Sequence, residues 1–557
     1  MFASKPYRPE ELNQLLFEAN DKKTPLELLP DDNFHLTYFR EYLGSAGVKA
    51  RFVVQESEYI SIDYLTDYAY YYAESFDEYK RKCVRLHFFT YCDEDQQAFD
   101  SELELAILQG NDYSNGKVNS FWDKYYLGFI VIRPIPKFMI GYTILRHYNY
   151  RSDAPNFEAG RQFWGTKTYD VHVFGTHVRL ESLAFLSQDS NVAACATIAV
   201  WCMLQRAVEN YYINLKSPYE ITQDAGLTIH DGNRIFPNSG LDIYSIANAI
   251  TKSNLATEII DLEGQNRNKI AHIKKYVNAY SKLKLPIILG IKVPVKGEME
   301  RHAVAICGHH TNSQILTKRQ QVWARFKRTL GRKKPYQPML RCNSIDKLYM
   351  HDDQWGPFSR AEFVDRTKMS TSWSKLPAKT HLSVPITLII PVFTQVRISY
   401  QDIEDHTICL NQFIMDAVAG ELTGELTWDI QLHFSAEFKD EVREAGLFDL
   451  NDVGQKNVFL NFMAVSMPKY IWVSTLYIND YKTLHFVYDA TGLRHTSSLL
   501  FSLCYYPDVQ EKFVALLNRY GKRKLSESGA RSVLETLLMD SVSGFLQKFN
   551  RFNFRTP

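Results

Sequence analysis

The sequence predicts an α+β fold in which a buried central helix lies on an antiparallel sheet. The first observation is the segment 195–210, which is apolar on nearly all sides over most of its length, as is typical of a buried helix. The second is a series of short apolar runs downstream, at 285–293, 301–308 and 347–351, which read as strands. Because strand and helix patterns also flank this middle region, we expect flanking domains of mixed α/β type.

The length of the chain predicts more than one domain. At 557 residues it exceeds the size at which a single hydrophobic core stops growing. We expect an N-terminal α+β region at 1–165, a core at 166–375 and a C-terminal α+β domain that ends in helices at 376–557.

The N-terminal elements follow from local patterns. Residues 9–20 have a helix-like pattern. Residues 83–92 are rich in β-branched and aromatic residues, and 126–136 form an apolar run that ends at a proline, so both predict strands. Residues 169–185 alternate around Gly175, which predicts a β-hairpin with the glycine at its turn.

The later elements are predicted in the same way. Residues 242–254 have a helix-like pattern that begins with an aspartate. Strands are expected at 384–393, 468–478 and 483–492. Two helical patterns, at 507–521 and 526–549, close the chain.

Composition and charge narrow the class of protein. Hydrophobic residues make up 45% and charged residues 23%, which is ordinary globular composition, and the net charge of +1 predicts no general attraction to nucleic acid or acidic membranes. The eight cysteines are scattered without a CxxC pair, so neither a disulfide framework nor a zinc knuckle is expected. The sequence has no signal-peptide pattern and no apolar stretch long enough to span a membrane, which predicts a cytoplasmic protein.

Three residues, in chain order, form a candidate catalytic constellation. Cys195 begins the predicted central helix, whose N-terminus offers partial positive charge and free N–H groups that favour a thiolate. His302 opens a short strand and is the candidate base that takes the thiol proton. Asp352 ends the next predicted strand, from which a carboxylate can orient the imidazole.

With these residues the sequence resembles the papain-like cysteine peptidases, and most closely their bacterial branch related to the double-glycine leader peptidases. That branch has a glutamine ahead of the nucleophilic cysteine, and Gln188 matches it seven positions before Cys195. The resemblance implies a papain-like core, a Cys–His–Asp triad formed by Cys195, His302 and Asp352, and an oxyanion held by the side chain of Gln188 beside a backbone N–H.

The resemblance covers residues 170–370, and the sequence departs from the family there. Ala194 stands where the leader peptidases usually have Asp, and Ala196 stands where many relatives have Gly. Asp353 is an alternative to Asp352 as the orienting residue, because the following Gln-Trp-Gly also fits the spacing of the papain turn.

The implied activity is cleavage of a peptide or isopeptide bond in a protein or peptide substrate, without a cofactor. The same triad also serves a transglutaminase or deamidase, and a catalytically inactive papain-like binding protein is a further alternative. A role in a bacterial defence or regulatory module is an additional hypothesis.

Other readings of the same residues stay open at this point. Metal binding by His302, His309, His310, His351 and Asp352 is one, although their spacing fits no zinc signature. Cys202 and Cys307 are interpreted as buried structural cysteines, because each lies within an apolar segment.

A basic insertion at 318–334 carries eight Lys or Arg and no acidic residue. Its apolar residues recur at near-helical spacing, so it is a candidate surface for an acidic partner, anionic lipid or nucleic acid. The alternative is a solvated helix whose apolar stripe packs on its own domain. Motifs of nucleotide-binding loops and serine hydrolases are absent from the sequence.

Overall fold

The computed structural model describes 13 segments of the chain, which contain all the structural features reported below. They are residues 4–20, 34–76, 78–135, 139–188, 194–210, 213–226, 240–264, 268–295, 298–315, 338–375, 382–417, 425–492 and 499–524. The chain divides into two compact units. The first comprises Met1–Ile270, Lys284–Thr311 and Asp346–Pro391, and the second comprises Ala271–Leu283, Asn312–Ile345 and Val392–Pro557.

The first unit begins with an antiparallel sheet surrounded by helices. The sheet follows chain order: β1 (Ser4–Pro6), β2 (Phe52–Tyr59), β3 (Cys83–Phe89), β4 (Tyr126–Ile132) and β5 (Ile140–Leu145). The helices are α1 (Leu12–Ala19), α2 (Phe34–Gly44), α3 (Ile62–Tyr70), α4 (Gln96–Gln109) and α5 (Ser120–Tyr125). Strand β4 is buried along its whole length, which explains why it reads as a continuous apolar run.

A short strand, β6 (Arg161–Gln162), and a hairpin formed by β7 (Lys167–Val173) and β8 (Thr176–Ser182) follow. The hairpin turn is Phe174–Gly175, and both residues have positive φ, 48° and 83°. Such a turn matches the twist of the flanking strands and favours glycine at its second position. The hairpin predicted around Gly175 is confirmed.

The main sheet of the first unit has eight strands within the described residues. In chain order, after β6, they are β9 (Leu255–Asp261), β10 (Ile287–Val295), β11 (Glu298–Thr311), β12 (Ile345–Asp352), β13 (Gly356–Phe363), β14 (Met369–Ser370) and β15 (Val384–Phe393). In space the order is β14-β13-β12-β11-β10-β15-β9, and β6 pairs with β11. Strand β10 pairs antiparallel with β11 and β15, and β13 pairs antiparallel with β12 and β14.

The central helix, α6 (Cys195–Ala207), packs on β10 and β11, and every residue from Ala196 to Ala207 is buried. This confirms the buried helix that its apolar sequence predicts. Two further helices, α7 (Pro218–Ala225) and α8 (Ile243–Thr251), pack against α6. The indole of Trp201 on α6 donates a hydrogen bond to Asp63 on α3 over 3.0 Å, which fixes the helix to the N-terminal region.

One hydrophobic core joins the N-terminal sheet to the main sheet. Leu86 and Phe88 of β3 share it with Cys307 of β11, Tyr349 of β12 and Phe358 of β13. Residues on both sides of the predicted boundary at 165 therefore contribute to the same core. The division of the chain into three separate domains at 1–165, 166–375 and 376–557 stays a prediction.

The second unit contains an antiparallel sheet with the order β16 (Leu426–Phe434), β17 (Tyr470–Ile478), β18 (Tyr481–Asp489) and β19 (Leu499–Cys504). Its helices are α9 (Lys269–Tyr280, which starts at the end of the first unit), α10 (Tyr400–Ala417), α11 (Ser435–Glu444), α12 (Val453–Ala464) and α13 (Pro507–Lys524). A core of aromatic and aliphatic side chains between α11, α12 and the sheet includes Phe438, Phe462 and Val487.

The predicted mixture of helices and antiparallel sheets is confirmed. The expected strand at 384–393 has the observed bounds of β15, and the helix expected at 507–521 is α13. The helix predicted at 526–549 and the basic insertion at 318–334 lie outside the described residues. None of the described helices has the length and apolar character that crossing a bilayer requires.

Candidate active site

Cys195 is the first residue of α6, as its sequence context predicts. The residue before it, Ala194, has extended backbone angles (φ −91°, ψ 173°) and cannot cap the helix with a side chain. Ala194 therefore leaves the N–H groups of the first turn without a hydrogen bond from the N-cap side chain, and such groups can bind an anion that forms beside the thiol. Cys195 is half-buried, whereas the rest of the helix is buried, so the sulfur lies where the helix meets the surface.

His302 lies on β11 and Asp352 ends the neighbouring strand β12. Nε2 of His302 lies 3.0 Å from Oδ1 of Asp352, and both side chains are buried. Because Nε2 is engaged by the carboxylate, Nδ1 is the ring nitrogen available to the Cys195 thiol, with which the imidazole also interacts. The structure thus brings together the three residues that the sequence proposes as a triad.

The chain reverses direction immediately after Asp352. The backbone N–H of Trp355 donates to the carbonyl of Asp352, and the N–H of Gln354 donates to its Oδ1 over 3.1 Å. The pairing of β12 with β13 is irregular at this end, between Met350 and Asp352. Consecutive residues of a regular strand point to opposite faces, but this turn directs the carboxylate of Asp353 to the same imidazole, with Oδ1 3.5 Å from Nε2.

The two carboxyl groups differ in their electrostatic environment. Burial raises the pKa of Asp353 to about 7, against the opposing effect of His302. Burial would also raise the pKa of Asp352, but the charge of His302 and hydrogen bonds from His302, Trp373 and Gln354 hold it below its ordinary value. Asp352 is therefore the ionised partner of His302 at neutral pH.

Burial favours the neutral form of His302, but its partners outweigh this effect. The charge of Asp352, the hydrogen bond to it and the interaction with Cys195 raise the pKa of His302 well above its ordinary value. The imidazolium form is thus stabilised at neutral pH, which is the form that stabilises a neighbouring thiolate.

A group of aromatic side chains encloses the His302–Asp352 pair. Trp373, in the short 3₁₀ helix Ser372–Lys375, donates its indole N–H to Oδ2 of Asp352 over 2.9 Å, and its ring meets the His302 ring edge-on at 5.3 Å. Trp355 lies against Trp373 at 5.9 Å, and Phe34 of α2 stacks on Trp355 at 4.9 Å. These rings help to bury the pair, and the low polarity of such surroundings strengthens the bond between the two charges.

Helix α2 also fixes the turn that follows Asp352. His35 forms a hydrogen bond of 3.1 Å with the carbonyl of Trp355, and the hydroxyl of Tyr38 donates to the carbonyl of Pro357. Gly356 lies directly under the ring of Tyr38, because a Cβ at this position would come within 2.2 Å of it. The turn therefore requires a glycine at 356 for close approach rather than for its backbone angles.

Gln188 lies half-buried at the end of the segment that follows β8. Arg133 donates hydrogen bonds to the hydroxyl and the carbonyl of Ser187, the residue before it, over 3.1 and 3.4 Å. Residues 189–193, which connect Gln188 to the start of α6, lie outside the described residues. The role of Gln188 in binding the oxyanion stays a prediction.

The other candidates from the sequence have structural surroundings of their own. Cys202 and Cys307 are buried, and burial raises the pKa of both thiols. Trp164 donates to Nδ1 of His309 over 3.0 Å, and Nδ1 of His310 lies 2.5 Å from Asp346. Among the described residues, the one group arranged to hold a metal ion is His302, Asp352 and Asp353, rather than the larger histidine set considered from the sequence.

Sequence reasoning missed Trp373 and the residues of α2. Trp373 follows Asp352 by 21 residues in a separate element, and no motif connects the two. Phe34 and His35 lie more than 300 positions before the turn that they contact. Contacts of this kind depend on packing and leave no local pattern.

The geometry defines a thiol–imidazole–carboxylate site at a helix N-terminus. No protein-family model, curated protein or solved structure matches this chain.

Proposed function

We propose that this protein is a cysteine hydrolase with a papain-like core, which cleaves a peptide or isopeptide bond with Cys195 as nucleophile. The observation that carries the proposal is the position of His302, which is hydrogen-bonded to Asp352 at 3.0 Å and whose imidazole pKa is also raised by the neighbouring Cys195. This is the arrangement that an activated thiol requires: a base within reach, and a third group that orients the base.

The proposed reaction has two steps. The Cys195 thiolate attacks the carbonyl carbon, and the negative oxygen that forms is bound by N–H groups of the first turn of α6 and the side-chain amide of Gln188. The imidazolium of His302 gives its proton to the departing amine, which leaves an acyl thioester on Cys195. Water then attacks the thioester as His302 takes a proton from it, and the thiol is restored with release of the acid.

Asp352 keeps Nε2 of His302 hydrogen-bonded throughout the proposed reaction, so the proton moves only at Nδ1. A protein or peptide substrate and a cytoplasmic location belong to the same proposal. All eight cysteines are free thiols, which supports a reducing compartment.

The test is the rate at which iodoacetamide alkylates each cysteine of the full-length chain, measured by peptide mass spectrometry. Cys92 is exposed and provides a reference thiol within the same molecule. We expect Cys195 to react at least about tenfold faster than Cys92 at pH 6.5, where an ordinary thiol is almost fully protonated. Replacement of His302 by Ala should remove this difference.

Equal rates at Cys195 and Cys92 would contradict the proposal and favour a binding protein on an inactive scaffold. Once a substrate is found, incubation with a primary amine distinguishes the reaction type. A hydrolase releases the acid, whereas a transglutaminase-type enzyme attaches the amine, and the product masses differ accordingly.

A further inference from the structure

Three potential metal-binding groups, one of them the imidazole of His302, lie close together. Its ring nitrogen and one carboxylate oxygen each from Asp352 and Asp353 lie within 4.8 Å of one another. The exposed fractions of the three residues are 4%, 1% and 3%, so the cluster is enclosed by protein. Buried charges of this kind are normally paired, fully hydrogen-bonded or bound to a metal.

We propose that His302, Asp352 and Asp353 form a binding site for a divalent transition-metal ion of the Zn²⁺ type, and that the bound ion inhibits the enzyme. The inhibitory role rests on the proposed function of Cys195, whereas the binding site does not.

The observation that points to a ligand is the buried carboxylate of Asp353, which receives no hydrogen bond from another described residue. This holds for both of its oxygens, and the residue is almost fully buried, with only 3% of its surface exposed. Its Oδ1 lies 3.5 Å from Nε2 of His302, which already bonds to Asp352. An ion placed among the three groups would bind one oxygen of the Asp353 carboxylate directly, and the other oxygen would lie close to the same positive charge.

The separations suit a tetrahedral ion. Zinc lies about 2.0–2.2 Å from nitrogen and carboxylate ligands, so neighbouring ligand atoms in a tetrahedral site are roughly 3.3–3.6 Å apart. The distances from Nε2 to the two aspartates are 3.0 and 3.5 Å. A small rotation of one carboxylate would bring the two oxygens to a similar separation, because they already lie within 4.8 Å.

The donor set selects the type of ion. One imidazole and two carboxylates suit Zn²⁺ and related transition metals, whereas Ca²⁺ needs six to eight oxygen ligands and Mg²⁺ keeps several waters in an octahedral shell. Two carboxylates also balance the charge of a divalent ion, so the buried cluster would be neutral when the ion is bound.

The bound ion would disable the triad without touching the sulfur. It would take the lone pair of Nε2, which forces the ring proton of His302 onto Nδ1, the nitrogen that Asp352 does not engage. The metal-bound ring is a neutral imidazole, so the thiolate of Cys195 loses its imidazolium partner, and the remaining Nδ1 proton is too weakly acidic to be given to the departing amine. Asp352 would bind the metal instead of orienting the imidazole.

The test is a titration of the chelator-treated full-length protein with Zn²⁺ in competition with a chromophoric chelator. We expect one ion bound per chain, and no displacement by excess Mg²⁺. Asp353→Asn should weaken Zn²⁺ binding more than about tenfold, because even residues that only hydrogen-bond to a metal ligand change metal affinity by about this factor when they are replaced. Cys195→Ala should bind as the wild type does, because the sulfur is not a ligand. Circular dichroism checks that each variant is folded.

Cobalt(II) gives an independent readout on the unaltered protein. We expect no sulfur-to-metal charge-transfer band, because the ligands are nitrogen and oxygen. Absence of stoichiometric binding would overturn the proposal, and so would a charge-transfer band or loss of binding in Cys195→Ala, since either would show that a cysteine sulfur is a ligand. If the ion binds as proposed but Cys195 alkylates no faster than Cys92, the metal site stands and the hydrolase proposal fails. If Cys195 is fast and Zn²⁺ does not slow it, the inhibitory role is wrong.

Discussion

Trp373 donates its indole N–H to Oδ2 of Asp352, while Oδ1 of the same carboxylate faces Nε2 of His302. Each oxygen of this buried carboxylate therefore has a different partner, and the tryptophan fixes the plane of the group that orients the imidazole. The second indole nearby, Trp355, has no hydrogen-bond partner for its Nε1 within the described residues. The two tryptophans provide a matched pair for experiment.

Trp373→Phe removes the donor to Asp352 and keeps an aromatic ring beside His302. We expect a loss of about 1.5–3 kcal/mol in the free energy of unfolding, because a charged buried acceptor loses its partner. Alkylation of Cys195 should slow as well. Trp355→Phe removes no hydrogen bond. We therefore expect a clearly smaller loss in the free energy of unfolding, measured with urea, and a smaller decrease in the alkylation rate of Cys195. Equal losses in the two variants would show that the indole N–H of Trp373 contributes nothing beyond packing.

The bond between His302 and Asp352 can be tested by comparing two replacements of the aspartate. Asp352→Ala leaves a buried imidazole without its partner, and we expect alkylation of Cys195 to slow at least about tenfold, with about 3–5 kcal/mol lost in stability. Asp352→Asn keeps an oxygen that accepts from Nε2–H and should retain more of the rate. The comparison is made by alkylation kinetics at a temperature where both variants are folded. If Cys195 were alkylated faster in Asp352→Ala than in Asp352→Asn, the orienting role of Asp352 would be contradicted.

The contact between Gly356 and Tyr38 predicts a strong steric effect. Gly356→Ala would place a Cβ 2.2 Å from the Tyr38 ring, so we expect a loss of about 1–3 kcal/mol or more in the free energy of unfolding and a displaced Asp352 turn. In a Tyr38→Ala background the same substitution should cost much less, because the ring is gone. A double-mutant cycle by urea unfolding measures this coupling. Additive losses would show that the turn does not depend on this contact.

Buried histidines predict a stability that falls in mild acid. Burial lowers the pKa of His87, His309 and His433 to about 4, from the ordinary 6.5. Between these values the unfolded chain binds more protons than the folded chain, so the free energy of unfolding falls as the pH drops from about 6.5 to 4.

Each of these histidines contributes up to about 1.4 kcal/mol per pH unit in that window. Urea unfolding at pH 7, 6 and 5 measures the fall, and His309→Gln should reduce it. A free energy of unfolding that does not change over this range would contradict the prediction.

The sequence by itself determined the elements of the site and their order. The all-round apolar character of 195–210 identified α6, and the strands that carry His302 and Asp352 were recognisable from their apolar runs. These features are local, because the side-chain period of a helix or strand is written in neighbouring residues.

Only the tertiary structure decided which groups meet. In the folded chain Asp352, rather than Asp353, forms the hydrogen bond with His302, although Asp353 also turns toward the same ring. Trp373 comes from a separate element to bind the carboxylate of Asp352. The sequence left the choice between the two aspartates open, because both fit the spacing of the turn. The physical reason is that such contacts depend on strand register, on an irregular turn and on packing between distant segments, and none of these repeats along the chain.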